Sequence, residues 1–262
     1  MNAGRMVFLM YHELEEPGRM LCQAQPGYVR YVLQARDFRA QMEFLRQRNW
    51  RGVSVGEAIP FTEDNTVAIT FDDGSETDLI SAAPVLLQLG FGATFYITNQ
   101  WLGKRGYLSQ GQLRELSALG FEIGCHSMTH AYLTDLDENG LHREISEAKS
   151  QLEQVIGKAV EHFSCPGGRF DRRVVAVAAQ AGYRTLSTSQ IHANSKATDL
   201  FALGRVAIMR STSLPAFQEL CSGRGLGLLS MSLQLRQAGK KLLGNSIYDR
   251  IRNALLRHGP PP

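Results

Sequence analysis

Seven short apolar runs, several of them β-branched, alternate along this chain with segments whose apolar residues recur at helical spacing. That alternation restricts the chain to strand–helix units wrapped around a parallel sheet, the α/β class. The runs are Val7 to Tyr11, Val67 to Phe71, Thr94 to Ile97, Phe121 to Gly124, His162 to Cys165, Arg184 to Leu186 and Val206 to Met209. Between them, Asp37 to Arg48 puts Phe38, Met42 and Leu45 on one helical face, and Ser109 can cap a helix carrying Leu113, Leu116 and Leu119 that Gly120 ends. Leu141 to Ile156, the segment capped by Asp171, and Ser213-Leu214-Pro215 before Phe217 read as further helices. About seven strands suit a distorted (β/α) barrel, and 262 residues suffice for one barrel plus an appendage.

Charge marks the appendage. Residues 222–262 carry seven Lys/Arg against Asp249 alone, so a mildly acidic body, residues 1–221, is followed by a basic tail. Ile247, Ile251 and Leu255 fall at i, i+4, i+8 with Arg250, Arg252 and Arg257 off that line. Such an amphipathic helical tail suits peripheral contact with an anionic membrane, docking on a partner protein, or packing on its own barrel. The four cysteines form no C-x-x-C pair and read as reduced thiols. Met6 to Tyr11 lacks the length of a signal peptide and no run of 18 apolar residues follows, so the expected location is the cytoplasm, with the inner membrane face as the place the tail could reach. Gly223-Arg224-Gly225 lacks the context of a phosphate-binding loop, and no nucleic-acid module is visible.

The run Thr66 to Phe71 ends abruptly in Asp72, Asp73 and Gly74, and His126-Ser127-Met128-Thr129-His130 follows about fifty residues on. A buried strand that delivers two acids to its carboxyl end is costly unless something cationic meets them. One Asp and two His make an oxygen and nitrogen set suited to a divalent ion of the zinc or iron type with open positions. Successive strand residues point to opposite faces, so the two acids can share a site only through a turn, which Gly74 can supply. Strand ends in parallel sheets gather at one face, where Asp72, Asp73, His126 and the turn at Cys165-Pro166-Gly167 would converge.

Thr70-Phe71-Asp72-Asp73-Gly74 and His126-Ser127-Met128-Thr129-His130 closely resemble the first two motifs of the polysaccharide deacetylases, the NodB-homology or carbohydrate esterase family 4 group. The resemblance covers roughly residues 7–210. It implies metal ligation by Asp73, His126 and His130, Asp72 as the base, and an oxyanion contact from the Gly167 amide beside Pro166. The metal it implies is Zn²⁺, with Co²⁺, Ni²⁺ or Fe²⁺ as other fits, and the substrate is an N-acetylated glycan.

Three positions depart from the family pattern. Many relatives have an arginine two residues before the proline and an aromatic after it, where this chain has Ser164 and Gly167. Arg205 or Arg169 could partner Asp72 in its place, or the base could stand unpaired; Arg205 is also grouped with the oxyanion and substrate contacts. The histidine common near the end of the catalytic domain is absent from Leu203 to Ser211. Leu9-Met10-Tyr11-His12-Glu13 instead resembles the first strand of circularly permuted relatives that de-N-acetylate poly-N-acetylglucosamine, which makes His12 the general acid. The alternative is a strand-end histidine paired with Glu13 or Glu15. Cys125 and Cys165 abut the motifs and read as buried apolar thiols rather than ligands.

The expectation is thus a metal-dependent hydrolase that removes N-acetyl groups from sugars of a polysaccharide or lipid-linked glycan. The alternatives are a deformylase or other non-peptide amide hydrolase of the same superfamily, and a non-catalytic glycan-binding barrel in a polysaccharide synthesis complex.

Overall fold

The computed structural model describes residues 4–61, 63–227 and 229–231. The basic stretch around Ile247, Ile251 and Leu255 lies outside the described residues. In chain order the strands are β1 (Val7–Tyr11), β2 (Leu14–Glu15), β3 (Leu33–Gln34), β4 (Arg51–Val53), β5 (Thr66–Phe71), β6 (Thr94–Ile97), β7 (Glu122–Cys125), β8 (His162–Ser164), β9 (Thr185–Ser187) and β10 (Val206–Ala207). β2 and β3 pair only with each other. The main sheet is parallel throughout, in the order β10-β1-β5-β6-β7-β8-β9. It curls into a half-barrel, and a parallel bridge from Ser187 to Leu203, just ahead of β10, spans the gap between the outer strands.

All seven strands expected from the sequence are present, with ends shifted by a residue or two. β4 was not expected. It pairs with the first half of β5, Gly52 opposite Val67, while β6 takes over along the second half, Thr70 opposite Thr94. With one glycine and one charged residue among its three, β4 lacks the apolar run that marks a buried strand.

The periodicity of the strands explains where the side chains go. Val7, Leu9 and Tyr11 of β1 and Val67, Ile69 and Phe71 of β5 join one large core with the surrounding helices, whereas Phe8 and Ala68 join Tyr96 and Leu203 in a smaller one. Both faces of these strands are therefore apolar, as a sheet covered on both sides requires. On β5 the alternation that turns Ala68 inward also turns Thr70 inward and, one step past the strand, Asp72.

Outside the sheet lie helices that include Ala35–Gln47, Ala83–Leu89, Gln110–Ala118, Ala148–Ile156, Arg172–Gln180 and Leu214–Cys221. The Ser109 and Asp171 caps are in place, each side chain accepting from backbone amides in the first turn. The segment Leu141 to Ile156, expected as one helix, is interrupted: Glu138–His142 leads into a π-helical turn at Arg143–Glu147 before the helix resumes. No helix among the described residues is long and apolar enough to cross a membrane.

Candidate active site and metal centre

The base candidate is built from the barrel interior. Arg205, whose side chain is fully buried, donates from Nη1 to Asp72 Oδ1 at 2.7 Å and from Nη2 to Oδ2 at 2.8 Å. The same guanidinium reaches Thr70 Oγ1 at 3.2 Å, the Thr188 carbonyl at 3.1 Å and Ser164 Oγ at 2.7 Å, and Ser164 in turn donates to Asp72 Oδ2 at 3.2 Å. Burial pushes the Asp72 carboxyl upward, but the charge and hydrogen bonds of Arg205 outweigh it and hold the acid well below the usual carboxylate range. The sequence grouped Arg205 with the oxyanion and substrate contacts; it lies instead behind Asp72, out of the cleft. Arg169 is not the partner, since its guanidinium sits 4.0 Å over the Tyr132 ring. Ser164 is small enough to leave the interior volume to an arginine entering just ahead of β10.

The metal candidate is built from loops held in unusual backbone. β5 stops at Phe71, and Asp73 itself takes φ 84°, followed by Gly74 at φ 81°, so the turn begins at the acid rather than after it. This takes Asp73 out of the strand alternation and brings it beside the histidines. The His126 to His130 segment is a loop in which Ser127 and His130 also have positive φ, 69° and 67°, and Ser127 Oγ accepts from the His130 amide at 2.9 Å. Non-glycine residues held this way store strain, and such strain clusters at functional sites.

Asp73 Oδ1 lies 3.6 Å from Nε2 of both His126 and His130, and one ligand atom from each of the three residues falls within 4.8 Å of the other two. His126 Nδ1 is 2.8 Å from the Ser164 carbonyl, so Nδ1–H donates there and the Nε2 lone pair faces Asp73. Burial lowers both imidazoles, His126 to about 3, which keeps them neutral and able to ligate. Asp73 goes the other way. Burial first, then the Asp72 and Glu13 carboxylates, raise it to about 8, and its Oδ1 is buried with no hydrogen-bond partner. Two imidazole lone pairs facing a buried carboxyl that resists ionising on its own is an arrangement that a divalent cation resolves, so these residues fit the expected metal. Cys125 and Cys165 are buried and stand outside this cluster, as expected for apolar thiols.

His12 follows β1, next to β5 in the sheet, where Tyr11 pairs with Phe71 and the Asp72 amide donates to the Tyr11 carbonyl. β1 is also the neighbour of β10, with Met10 opposite Ala207, so residue 12 stands beside the segment that lacks a late histidine. The ring stacks on Tyr31 at 4.9 Å, and its Nδ1 is buried with no partner. Neither alternative acid holds it: Glu13 accepts from the Cys22 amide and the Tyr28 hydroxyl, and Glu15 pairs with Arg210. Burial, opposed by Asp72, lowers His12 to about 4.

The turn after β8 places Gly167 in positive φ, 62°, at the surface behind buried Pro166. A Cβ there would stand 2.8 Å from Tyr132, two residues beyond His130. The aromatic missing after the proline in sequence is thus matched in space by a ring from the histidine loop.

Two contacts had no place in the sequence reading. Glu144, in the π-helical turn, accepts from the Thr129 amide at 2.8 Å and from its hydroxyl at 2.7 Å, pinning the loop between the two histidines. A signal was present, because Glu144 falls on the helical face of Leu141, Ala148 and Leu152, where a carboxylate stands out. Trp101 stacks on His130 at 5.0 Å, and nothing in its sequence context marked it.

Residues 61–186 match the family model described as polysaccharide deacetylase. That segment, just under half of the chain, is similar to the family. YxkH of Bacillus subtilis (strain 168) is 25% identical to it over 219 residues, 81% of this chain and 75% of YxkH. The peptidoglycan-N-acetylglucosamine deacetylase of Bacillus cereus is 32% identical over 124 residues, 47% of this chain and about half, 56%, of that protein. The polysaccharide deacetylase BC0361 from Bacillus cereus shares the fold, with a TM-score of 0.72 at 24% identity over 82% of this chain and 68% of its own. The deacetylase family match contains Asp72, Asp73, His126, His130, Pro166 and Gly167 but neither His12 nor Arg205.

Proposed function

We propose that this chain is a metal-dependent hydrolase that removes acetyl groups from N-acetylated sugars of a glycan. The observation that carries the reading is Asp73 Oδ1, buried without a partner between two neutral imidazoles, beside an Asp72 that Arg205 keeps ionised. Names of relatives point the same way, since the Bacillus cereus protein acts on N-acetylglucosamine of peptidoglycan.

Asp73, His126 and His130 would hold the ion, Zn²⁺ first among those suited to this nitrogen and oxygen set, and when bound it would polarise the acetamide carbonyl and acidify water. Asp72 accepts the proton of the attacking water. Its two bonds to Arg205 fix its orientation and keep it charged across the working range, at the cost of basicity. The Gly167 amide donates to the oxygen that becomes negative as the carbonyl carbon turns tetrahedral, a role that asks nothing of a side chain. His12, neutral at rest, takes up one proton from solvent and passes it to the departing sugar nitrogen, and Asp72 returns the proton it took to solvent as the site resets. Acetate and a free amino sugar leave. An arginine missing two residues before the proline was one ground for a non-catalytic barrel, and Arg205 removes it.

The test is elemental analysis of the purified chain together with acetate release from N-acetylglucosamine oligomers, with formylated sugars run in parallel. Metal should copurify and acetate appear. His12→Ala should keep the metal and lose most turnover; near-parental kcat in that variant would remove His12 from the mechanism.

A further inference from the structure

Two tyrosine–arginine pairs flank the candidate site, and neither belongs to the metal or the base. At the β1 side, the Arg30 guanidinium lies 4.6 Å over the Tyr31 ring, and Tyr31 stacks on His12. At the β8 side, the Arg169 guanidinium lies 4.0 Å over the Tyr132 ring, and Tyr132 abuts Gly167. In strand order these pairs bracket the whole constellation, with Asp72, Asp73 and the two histidines between them.

Both arginines are exposed, and neither has a carboxylate partner among the described residues. Three of the acids nearby in the chain are already engaged. Glu15 pairs with Arg210 at 2.6 Å, Asp171 pairs with Arg173 at 2.8 Å, and Glu13 is buried under Cys22 and Tyr28. The charge of Arg30 also reaches the site, where it counts among the influences lowering His12.

A guanidinium laid on an aromatic ring is restrained before any ligand arrives, so it loses less freedom on forming a bond. Arg30 gives one Nη2–H to the Tyr31 hydroxyl, which holds the group further in place; the remaining edge N–H groups of Arg30 and those of Arg169 can meet the oxygens of a carboxylate or phosphate. A neutral sugar offers these groups nothing comparable.

We propose that the site selects an anionic N-acetylated glycan, in which carboxylate or phosphate groups flank the acetamido sugar and meet Arg30 on one side and Arg169 on the other. This rests on the deacetylase reading and narrows its substrate. Tyr31 and Tyr132 act as positioning residues for the two guanidiniums.

The experiment measures binding to the zinc-loaded full chain by calorimetry, and acetate release beside it. Three probes are used: a neutral N-acetylglucosamine tetramer, a hyaluronan tetrasaccharide carrying carboxylates, and an N-acetylglucosamine oligomer carrying phosphate. At low salt at least one acidic probe should bind about tenfold or more tighter than the neutral one, and which arm does so names the anion. The preference should shrink at about 0.5 M salt, and it should vanish in the double variant R30Q/R169Q. Equal binding of all three at low salt, or a preference untouched by the double variant, overturns the proposal. Acetate released from the neutral tetramer in that case leaves the deacetylase reading standing. Acetate from none of the probes would sink the deacetylase reading, while the binding ratio still decides this one.

Discussion

Asp72 and Asp73 are adjacent in the chain and equally buried, yet their surroundings are opposite. Asp72 ends the inward-facing row of β5 and finds a complete set of donors, two from Arg205 and one from Ser164. Asp73, turned by a positive φ, finds only the acceptor faces of two neutral histidines. The protein supplies the counter-charge for one acid and leaves the other to a ligand. The contrast separates a permanently charged group from one whose charge becomes favourable only when an ion arrives.

The most damaging way to break the contrast is Arg205→Met. It leaves Asp72 buried and uncompensated, and should cost about 3–5 kcal/mol in chemical denaturation. Adding Asp72→Asn to that variant should restore part of the loss; a double variant no more stable than the single would mean the ion pair is not what holds the interior.

Asp73→Asn should sharpen it in the other direction. In chelator, burial and neighbouring carboxylates raise the Asp73 pKa from its ordinary 3.8 to about 8. A raised pKa favours the folded state below the ordinary value and loses that advantage as pH rises through 8. The variant should therefore bind no metal and yet melt higher than the parent at pH 8, by on the order of 2 kcal/mol or about 5 °C, with the gain fading toward pH 4. A lower melting temperature at pH 8 would show that Asp73 is not an unmet acid.

Smaller effects are expected around the pair. Glu144→Gln keeps the shape but loses the charge that grips Thr129, so metal affinity should fall about tenfold, measured by competition with a chelator, with Glu144→Asp recovering part of it. Acid should also destabilise the metal-free fold. His12 and His126 are lowered from 6.5 to about 4 and about 3, so the stability they confer is complete above 6.5 and drains as pH falls through those values. His12→Phe, which preserves a ring against Tyr31, should flatten that limb in thermal melts; an unchanged slope would mean His12 is protonated in the folded state.

Much of this was legible from residues alone because the signals were local. A strand apolar on both faces, two acids at its end and a paired-histidine loop need no knowledge of distant partners. What escaped was assembled across the fold. Arg205 could be named as one of two candidates for Asp72, but only the interior geometry, with Ser164 leaving room, decides between it and Arg169. β4 escaped because three residues without an apolar run carry no periodic signal, and the π-helical turn at Arg143–Glu147 because a smooth helical repeat conceals an inserted residue.

The matched family segment, residues 61–186, ends before the strand that delivers Arg205 and begins after the one that delivers His12. An excised piece of that length would keep every recognisable motif and still hold a naked acid at its centre. Anyone trimming or transplanting this domain should cut outside residues 7 and 207, because β1 and β10, which pair with each other on one side of β5, are what make the motifs between them workable.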